Sequence, residues 1–219
     1  RAIPEVVDVL STDLETVVGL QDRPPQLQMA DERRASGHKY DRGHALILSG
    51  GPGRTGAARL AARGALRVGA GLVTLGVPPA AQMEVACQVT AIMLARMPDA
   101  QALTALLEDK RINALCLGPG LGVSDATRAL VLAALEANRR AVLDADALTV
   151  FQDDPETLFA KLHPSCVLTP HAGEFARLFP DLAQAWRNAD TIGEAGSKIR
   201  AVQAAAERAG CCLLLMGAD

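Results

Sequence analysis

Short apolar runs alternate with longer helical stretches along most of this chain, and that alternation limits the folds open to it. Helical periodicity is found at residues 57–68, 80–87, 100–110, 124–138 and 191–208. Strands are predicted at residues 44–49, 71–77, 90–94, 114–117, 141–144, 166–169 and 211–216. Strands that alternate with helices are typical of βαβ units, and unbroken apolar strands are typical of a parallel sheet covered on both faces. The sequence therefore predicts an α/β fold with a mostly parallel central sheet and helices on both faces.

The chain divides into two parts of different character. Residues 1–37 contain Arg23-Pro24-Pro25 and a charged stretch from Asp31 to Arg34. Such a segment is typical of an extended or partly helical arm. We expect residues 1–37 to form an N-terminal arm or linker and residues 38–219 to form one domain.

Composition excludes several classes of protein. Charged residues make up 21% of the chain and the net charge is −3, whereas a general nucleic-acid binder needs a basic stripe. No apolar run is long enough to span a membrane, and residues 1–20 are unlike a signal peptide. We therefore expect a cytoplasmic protein that binds neither nucleic acid nor membranes.

The cysteines and histidines do not predict a metal site. The five cysteines include no Cys-x-x-Cys pair, and the four histidines are scattered, whereas zinc sites group these residues at ligand spacing. We interpret the cysteines as small buried thiols of a reducing compartment.

Four loops that each follow a predicted strand and precede a helix carry the candidate chemistry. They are Gly50–Gly56, Gly118–Gly122, Asp144–Asp146 and Thr169–Glu174. In a parallel sheet, ligands bind beyond the carboxyl ends of the strands. Parallel topology predicts that all four loops lie at one edge of the sheet, with the Gly50 and His171 loops near each other.

The first loop has dinucleotide-binding spacing, Gly51-x-Gly53-x-x-Gly56. The second predicted strand lacks the acidic residue that a Rossmann site needs for the ribose, and Gly56 is not followed by the lysine of a Walker A loop. Backbone N–H groups at a helix N-terminus still favour an anion there. The alternative for these glycines, and for Gly118, Gly120 and Gly122, is a tight turn with close helix–sheet packing.

The other two loops carry ionisable side chains. Asp144 and Asp146 lie two residues apart, so one could face a ligand while the other caps a helix; the alternative is that both are caps. His171 lies on the predicted ligand edge, and Glu174 is placed to act as a first-turn helix acid. His44 and His163 are interpreted as structural.

Longer segments around these loops resemble the ADP/ATP-dependent NAD(P)H-hydrate dehydratase family. The resemblance covers about residues 36–219. The matching segments, in family order, are residues 38–44, 56–73, 117–122, 142–148 and 168–175. It implies a ribokinase-like three-layer fold and a repair reaction that removes a hydroxyl from hydrated NADH or NADPH at the expense of ADP or ATP, with Mg²⁺.

The resemblance also implies roles for individual residues. In the family, the positions that match Ala57, Gly120 and His171 contact the hydrated dinucleotide. Supporting roles are expected for Gly53, Gly56, Gly118, Gly122, Asp144, Asp146 and Glu174. We further expect a homo-oligomer, and fusion to or cooperation with an NAD(P)H-hydrate epimerase.

One departure from the family pattern affects catalysis. The family continues past its last strand with a lysine segment and a Gly-Asp turn whose aspartate deprotonates the hydroxyl. This sequence closes with Met216, Gly217, Ala218 and Asp219, with Met216 at the usual lysine position, so these residues could form only part of a nucleotide site. The 219 residues are therefore predicted to be inactive by themselves. The alternatives are a small-molecule kinase of the ribokinase-like group and a degenerate nucleotide-binding domain.

Overall fold

A computed structural model describes residues 38–187 and 194–217 of the chain. Its seven strands form one sheet in which every neighbouring pair is parallel. The strand order is β3-β2-β1-β4-β5-β6-β7. The strands are β1 His44–Leu48, β2 Leu72–Val77, β3 Met93–Arg96, β4 Ile112–Leu117, β5 Arg140–Leu143, β6 Cys166–Leu168 and β7 Cys212–Leu213.

Helices follow the strands along the described residues. The first four helices each lie between two strands and are α1 Gly56–Arg67, α2 Gln82–Ala86, α3 Ala100–Leu106 and α4 Asp125–Glu136. Shorter ones follow at α5 Asp146–Thr149, α6 Pro155–Phe159, α7 Ala172–Leu178 and α8 Pro180–Arg187, and the long α9 spans Glu194–Ala209. Short 3₁₀ turns at Lys39–Arg42 and Pro79–Ala81 complete the described elements. Ser124 caps α4 as its position predicts, because its hydroxyl accepts a hydrogen bond from the Thr127 N–H at 3.2 Å.

Two apolar cores lie on opposite faces of the sheet. The larger includes Leu46, Leu115 and Leu143 from the strands, packed against residues of α3 to α9. The smaller joins Ile47 and β2 to Ala58 and Ala62 of α1. This arrangement confirms the predicted three-layer α/β fold.

Helical cover on the second face is confined to β1, β2 and β3 in the described residues. Cys116, Val142, Val167 and Cys212 lie in register across β4 to β7 and point to that same face. Val142 is 36% exposed, and the other three side chains are half-buried. We call these four residues the open row. On the same face of the sheet, α1 has an exposed flank that contains Ala57, Leu60, Ala61, Gly64 and Val68.

Several predicted elements differ from the observed ones. The third strand begins at Met93 rather than residue 90, and β7 is only two residues long. Helices α5 to α8 were not predicted, because each spans only one or two turns and shows little periodicity. The expectation that all five cysteines are buried is wrong, since Cys87 is exposed and Cys116 and Cys212 are half-buried.

Some predictions fall outside the described residues. The arm at 1–37 and the first residues of the helix predicted at 191–208 belong to these. The division into an arm and one domain stays a prediction. In the part of the chain that the structure describes, no helix is long and apolar enough to cross a membrane.

Candidate functional site

The site lies where the strand order changes direction. From β1 the chain moves outward to β2 and β3, then returns to the other side of β1 to form β4. Ligands of open α/β sheets bind at the carboxyl ends of the strands beside such a switch point. The two strands that flank it, β1 and β4, lead into the Gly50–Gly56 and Gly118–Gly122 loops.

The two glycine loops interlock, because each lacks the side chains that would separate them. A Cβ on Gly50 would overlap the carbonyl group of Gly120. Gly120 has a φ of +80°, and a Cβ there would lie 2.6 Å from the Arg54 carbonyl oxygen. Close backbone approach is therefore required at Gly50 and Gly120, and no larger residue fits without a shift of the main chain.

The third glycine of the dinucleotide-like spacing has a different environment. A Cβ on Gly56, the first residue of α1, would meet nothing within 4 Å. The alternative of close helix–sheet packing at this position is therefore wrong. A Cβ on Gly53, at φ +75°, would also meet nothing within 4 Å. A glycine at this position is therefore favoured by the backbone conformation of the turn and not by a close contact.

A carboxylate from α2 clamps the first loop. Glu84 accepts hydrogen bonds from the Thr55 hydroxyl at 2.6 Å and from the Gly53 N–H at 2.8 Å. These bonds, that of Thr55 first, hold the pKa of Glu84 below its usual range. No sequence motif signals this residue, because Glu84 is about 30 positions from its partners.

The start of α1 is open to an anion. The Thr55 hydroxyl donates its hydrogen bond to Glu84 and does not cap the N-terminus of α1. The N–H groups of Gly56 and Ala57 have no hydrogen-bond partner in the described residues, and Ala57 is exposed. Uncapped first-turn N–H groups and the helix dipole favour a negatively charged group at this end.

The Asp144–Asp146 loop joins the second glycine loop. A Cβ on Gly118, at φ +147°, would overlap the Asp144 carbonyl group. The Asp146 carboxylate accepts a hydrogen bond from the Gly122 N–H at 2.7 Å. Neither aspartate caps α5 with its side chain, since the N-cap position is held by Ala145 without a side-chain bond. The expectation that one or both of the aspartates act as helix caps is therefore wrong.

Asp144 is the carboxylate that remains available. It is half-buried, and its side chain has no hydrogen-bond partner among the described residues. It lies near Cys116, whose thiol pKa is raised to about 11 by burial and then by the Asp144 charge. Asp144 thus adds a negative charge to the carboxyl edge of β5.

His171 and Glu174 form a reciprocal cap on α7. The His171 Nδ1 accepts a hydrogen bond from the Gly173 N–H at 2.9 Å, and the Glu174 carboxylate accepts one from the His171 N–H at 2.9 Å. Glu174 is buried and acts as the first-turn acid, as expected. Because Nδ1 accepts, the neutral ring carries its proton on Nε2, and the His171 side chain is 59% exposed.

The chain after β7 returns to this edge. Met216 forms a parallel bridge with His171, and its N–H donates to the Pro170 carbonyl at 2.8 Å. Met216 and Gly217 are exposed. Ala218 and Asp219 lie outside the described residues.

All four predicted loops therefore occupy one edge of the sheet. The Gly50 and Gly118 loops are in direct contact, and the Asp144 loop touches the second of them. The His171 loop follows β6, which is separated from β1 by β4 and β5. The shared edge is confirmed, but the two loops that we expected to be neighbours have two strands between them.

The described residues contain no group of three or more His, Cys, Asp or Glu side chains that could hold a metal ion. Mg²⁺ is commonly bound through one or two carboxylates together with substrate phosphates. Asp144 is a carboxylate that would fit such a shared site, and a cage made only of protein ligands is not seen in this part of the chain.

Comparison with known proteins identifies the sequence relatives. A family model described as NAD(P)H-hydrate dehydratase matches residues 45–219. The chain is 44% identical over 155 residues to the bifunctional NAD(P)H-hydrate repair enzyme Nnr of Moorella thermoacetica, covering 67% of this chain and 29% of that protein. It is 37% identical over 187 residues to Nnr of Gloeobacter violaceus, covering 80% and 36%. The chain thus spans about a third of the length of these relatives.

Solved structures share the fold. The ADP/ATP-dependent NAD(P)H-hydrate dehydratase of Bacillus subtilis, co-crystallised with ATP and Mg²⁺, superposes with a TM-score of 0.62 at 24% identity. The match covers 87% of this chain and 65% of that one. A ribokinase-like protein of Enterococcus faecalis gives a TM-score of 0.66 at 18% identity, over 87% and 64%. The predicted ribokinase-like fold is therefore confirmed.

Proposed function

This chain belongs to the NAD(P)H-hydrate dehydratase family, and on that premise we propose that it serves the ADP- or ATP-dependent dehydration of hydrated NADH or NADPH. The observation that carries the proposal is the interlocked set of loops at the switch point. The uncapped start of α1, the two interlocked glycine loops, and the loops that carry Asp144 and His171 all lie at one edge of the sheet. An extended ligand with negatively charged groups suits such an edge.

The reaction proposed is phosphoryl transfer followed by elimination. The terminal phosphoryl group of ADP or ATP moves to the C6 hydroxyl of the hydrated nicotinamide ring, whose proton is removed. The C–O bond then breaks as the ring nitrogen donates its electron pair, and loss of a proton from C5 to solvent restores the C5=C6 double bond and the neutral ring nitrogen. Phosphate leaves, and NAD(P)H and AMP or ADP remain. Phosphorylation makes the hydroxyl a good leaving group.

The described residues supply binding and orientation. The first-turn N–H groups of α1 would receive the pyrophosphate, and the small Ala57 side chain leaves room for it. The backbone at Gly120 would contact the ligand, and the exposed His171 ring, whose Nε2 lies 3.5 Å from a Glu174 carboxylate oxygen, would border it. Mg²⁺ would neutralise phosphate charge, with Asp144 as the carboxylate placed to share it.

Further parts of the proposal concern the whole protein. Met216 and Gly217 leave the sheet beside His171, where they would border the nucleotide. The names of the relatives describe bifunctional enzymes, which supports work alongside an NAD(P)H-hydrate epimerase. A homo-oligomer and a cytoplasmic location are further parts of the proposal.

The test measures recovery of reduced-nicotinamide absorbance after ATP and Mg²⁺ are added to hydrated NADPH. We expect no measurable rate from residues 1–219, because the Gly-Asp turn that the family uses for deprotonation is not among them. Loss of a general base alone lowers the rate of a reaction by about 10²–10⁴-fold. The same chain extended through such a turn is expected to be active.

Two outcomes would overturn parts of this proposal. Rapid turnover by a chain whose mass shows that it ends at Asp219 would place the chemistry within residues 1–219. If the extended chain instead phosphorylates a small alcohol and leaves hydrated NADPH unchanged, the kinase alternative holds.

A further inference from the structure

Arg54 places a positive charge between the two glycine loops. It follows Gly53 at the tip of the first loop, and its N–H donates to the Gly51 carbonyl at 3.0 Å. The guanidinium reaches across to the second loop, where its Nη1 lies 3.1 Å from the position that a Cβ of Gly122 would take. Its Nη2 lies 3.7 Å from the corresponding position at Gly51. The guanidinium therefore lies over both loops at the switch point.

The Arg54 charge has no partner within the part of the chain that the structure describes. Its side chain makes neither a hydrogen bond nor an ion pair there. Two carboxylates that bind these loops have other partners: Glu84 accepts hydrogen bonds from Thr55 and Gly53, and Asp146 accepts one from the Gly122 N–H. By contrast, Arg59 and Arg63 on α1 bond to Gln88.

We infer that Arg54 is a ligand-binding residue of this site and that it binds the pyrophosphate of the hydrated dinucleotide. The inference rests on the proposed function. A guanidinium offers a planar pair of donors that matches phosphate oxygens. The loop that carries Arg54 leads directly into the uncapped first turn of α1, so a pyrophosphate that spans that helix end and the glycine loops would meet backbone donors and the guanidinium together.

The pyrophosphate is favoured over the 2′-phosphate for a geometric reason. Arg54 is two residues before the first residue of α1, so a phosphate group bound at the anion-binding end of that helix would lie near the loop that carries the Arg54 charge. Both hydrated NADH and hydrated NADPH carry the pyrophosphate. Arg54 should therefore contribute equally to the binding of both.

The test is calorimetric binding of hydrated NADH and hydrated NADPH to residues 1–219 without ATP, which separates binding from turnover. Arg54→Ala is expected to raise Kd by about 10- to 100-fold for both ligands, the range for a hydrogen bond to a charged group. Arg54→Lys should recover part of the affinity. Arg59→Ala, the control on the adjoining helix α1, should leave Kd unchanged. Added salt should weaken the parent more than Arg54→Ala.

The outcomes separate the inference from the proposed function. If the parent binds both ligands and Arg54→Ala binds them equally well, the role of Arg54 is wrong while the proposed function stands. If only the binding of hydrated NADPH weakens, Arg54 contacts the 2′-phosphate, and the pyrophosphate assignment is wrong. If the parent binds neither ligand, the proposed function fails and the inference fails with it. Unchanged melting temperatures would show that each variant is folded.

Discussion

Ala145 separates the roles of two neighbouring aspartates. Its φ of 48° lies in a region that residues with a Cβ rarely adopt. Such a conformation costs about 1–3 kcal/mol and persists only where the surroundings enforce it. Here it directs the Asp146 carboxylate to the Gly122 N–H, while Asp144 keeps no hydrogen-bond partner among the described residues. The strain thus leaves a single carboxylate available at the carboxyl edge of β5.

Ala57 gives the sharpest test of ligand placement at the residue scale. Ala57→Trp would fill the space at the start of α1, so we expect the Kd of hydrated NADPH to rise about tenfold or more. Ala57 is exposed, so the free energy of unfolding should change by no more than about 0.5 kcal/mol. Calorimetry and chemical denaturation measure the two effects.

The matched control for Ala57 is Ala61→Trp. Ala61 is one turn further along the same exposed flank of α1, away from the carboxyl edge. It should leave the affinity unchanged. Equal affinity in Ala57→Trp and the parent would show that the ligand does not pack on this helix end.

At the scale of elements, α1 and its loop contain glycines of opposite character. Gly64 lies in the helix interior with nothing within 4 Å of its Cβ position. Gly64→Ala should therefore stabilise the protein by about 0.5–1 kcal/mol. Gly50→Ala should destabilise it by about 1–3 kcal/mol, because the new Cβ overlaps the Gly120 carbonyl of the other loop. Urea denaturation of both variants measures these changes. A Gly50→Ala variant as stable as the parent would show that the two loops do not interlock as described.

The clamp between α2 and the first loop should depend on pH. The hydrogen bonds from Thr55 and Gly53 lower the pKa of Glu84 below 4.5. A depressed pKa gives stability that is complete above the unfolded pKa and is lost as pH falls through the folded pKa. Glu84→Gln should therefore lower Tm at pH 7, and the difference from the parent should shrink as pH falls below about 4.5.

Glu108→Gln is the control for this pH dependence. Glu108 is an exposed carboxylate, and its substitution should leave Tm unchanged across the same pH range. A constant Tm difference between Glu84→Gln and the parent from pH 7 to pH 3 would mean that the Glu84 carboxylate charge does not hold the loop.

At the scale of the whole molecule, the two faces of the sheet are covered unequally. Val142 and Leu143 are neighbours in β5 that point to opposite faces, and they are 36% and 0% exposed. Leu143→Ala should lower the free energy of unfolding by about 2–5 kcal/mol. Val142→Ala should lower it by less than about 1 kcal/mol, because little apolar surface is buried there. Denaturation of the two variants measures the difference. Equal costs would show that the open row is covered in solution.

The sequence predicted the parts of the fold that depend on local pattern. The apolar runs at β1, β2, β4 and β5 were placed within one or two residues, because buried parallel strands are continuously apolar. The Ser124 cap was also predictable, since capping is a contact between residues three apart. Helices α5 to α8 were missed, because one or two turns carry little periodicity and tertiary packing determines them.

Local pattern also predicted that four loops share one edge, since parallel strands and crossover helices leave no other arrangement. Tertiary structure alone decided which loops touch, because the strand order places β4 and β5 between β1 and β6. It also decided that Glu84 clamps the first loop and that Asp146 binds Gly122, contacts between residues 24 to 31 positions apart. Such contacts depend on how elements pack, and no spacing along the chain encodes them.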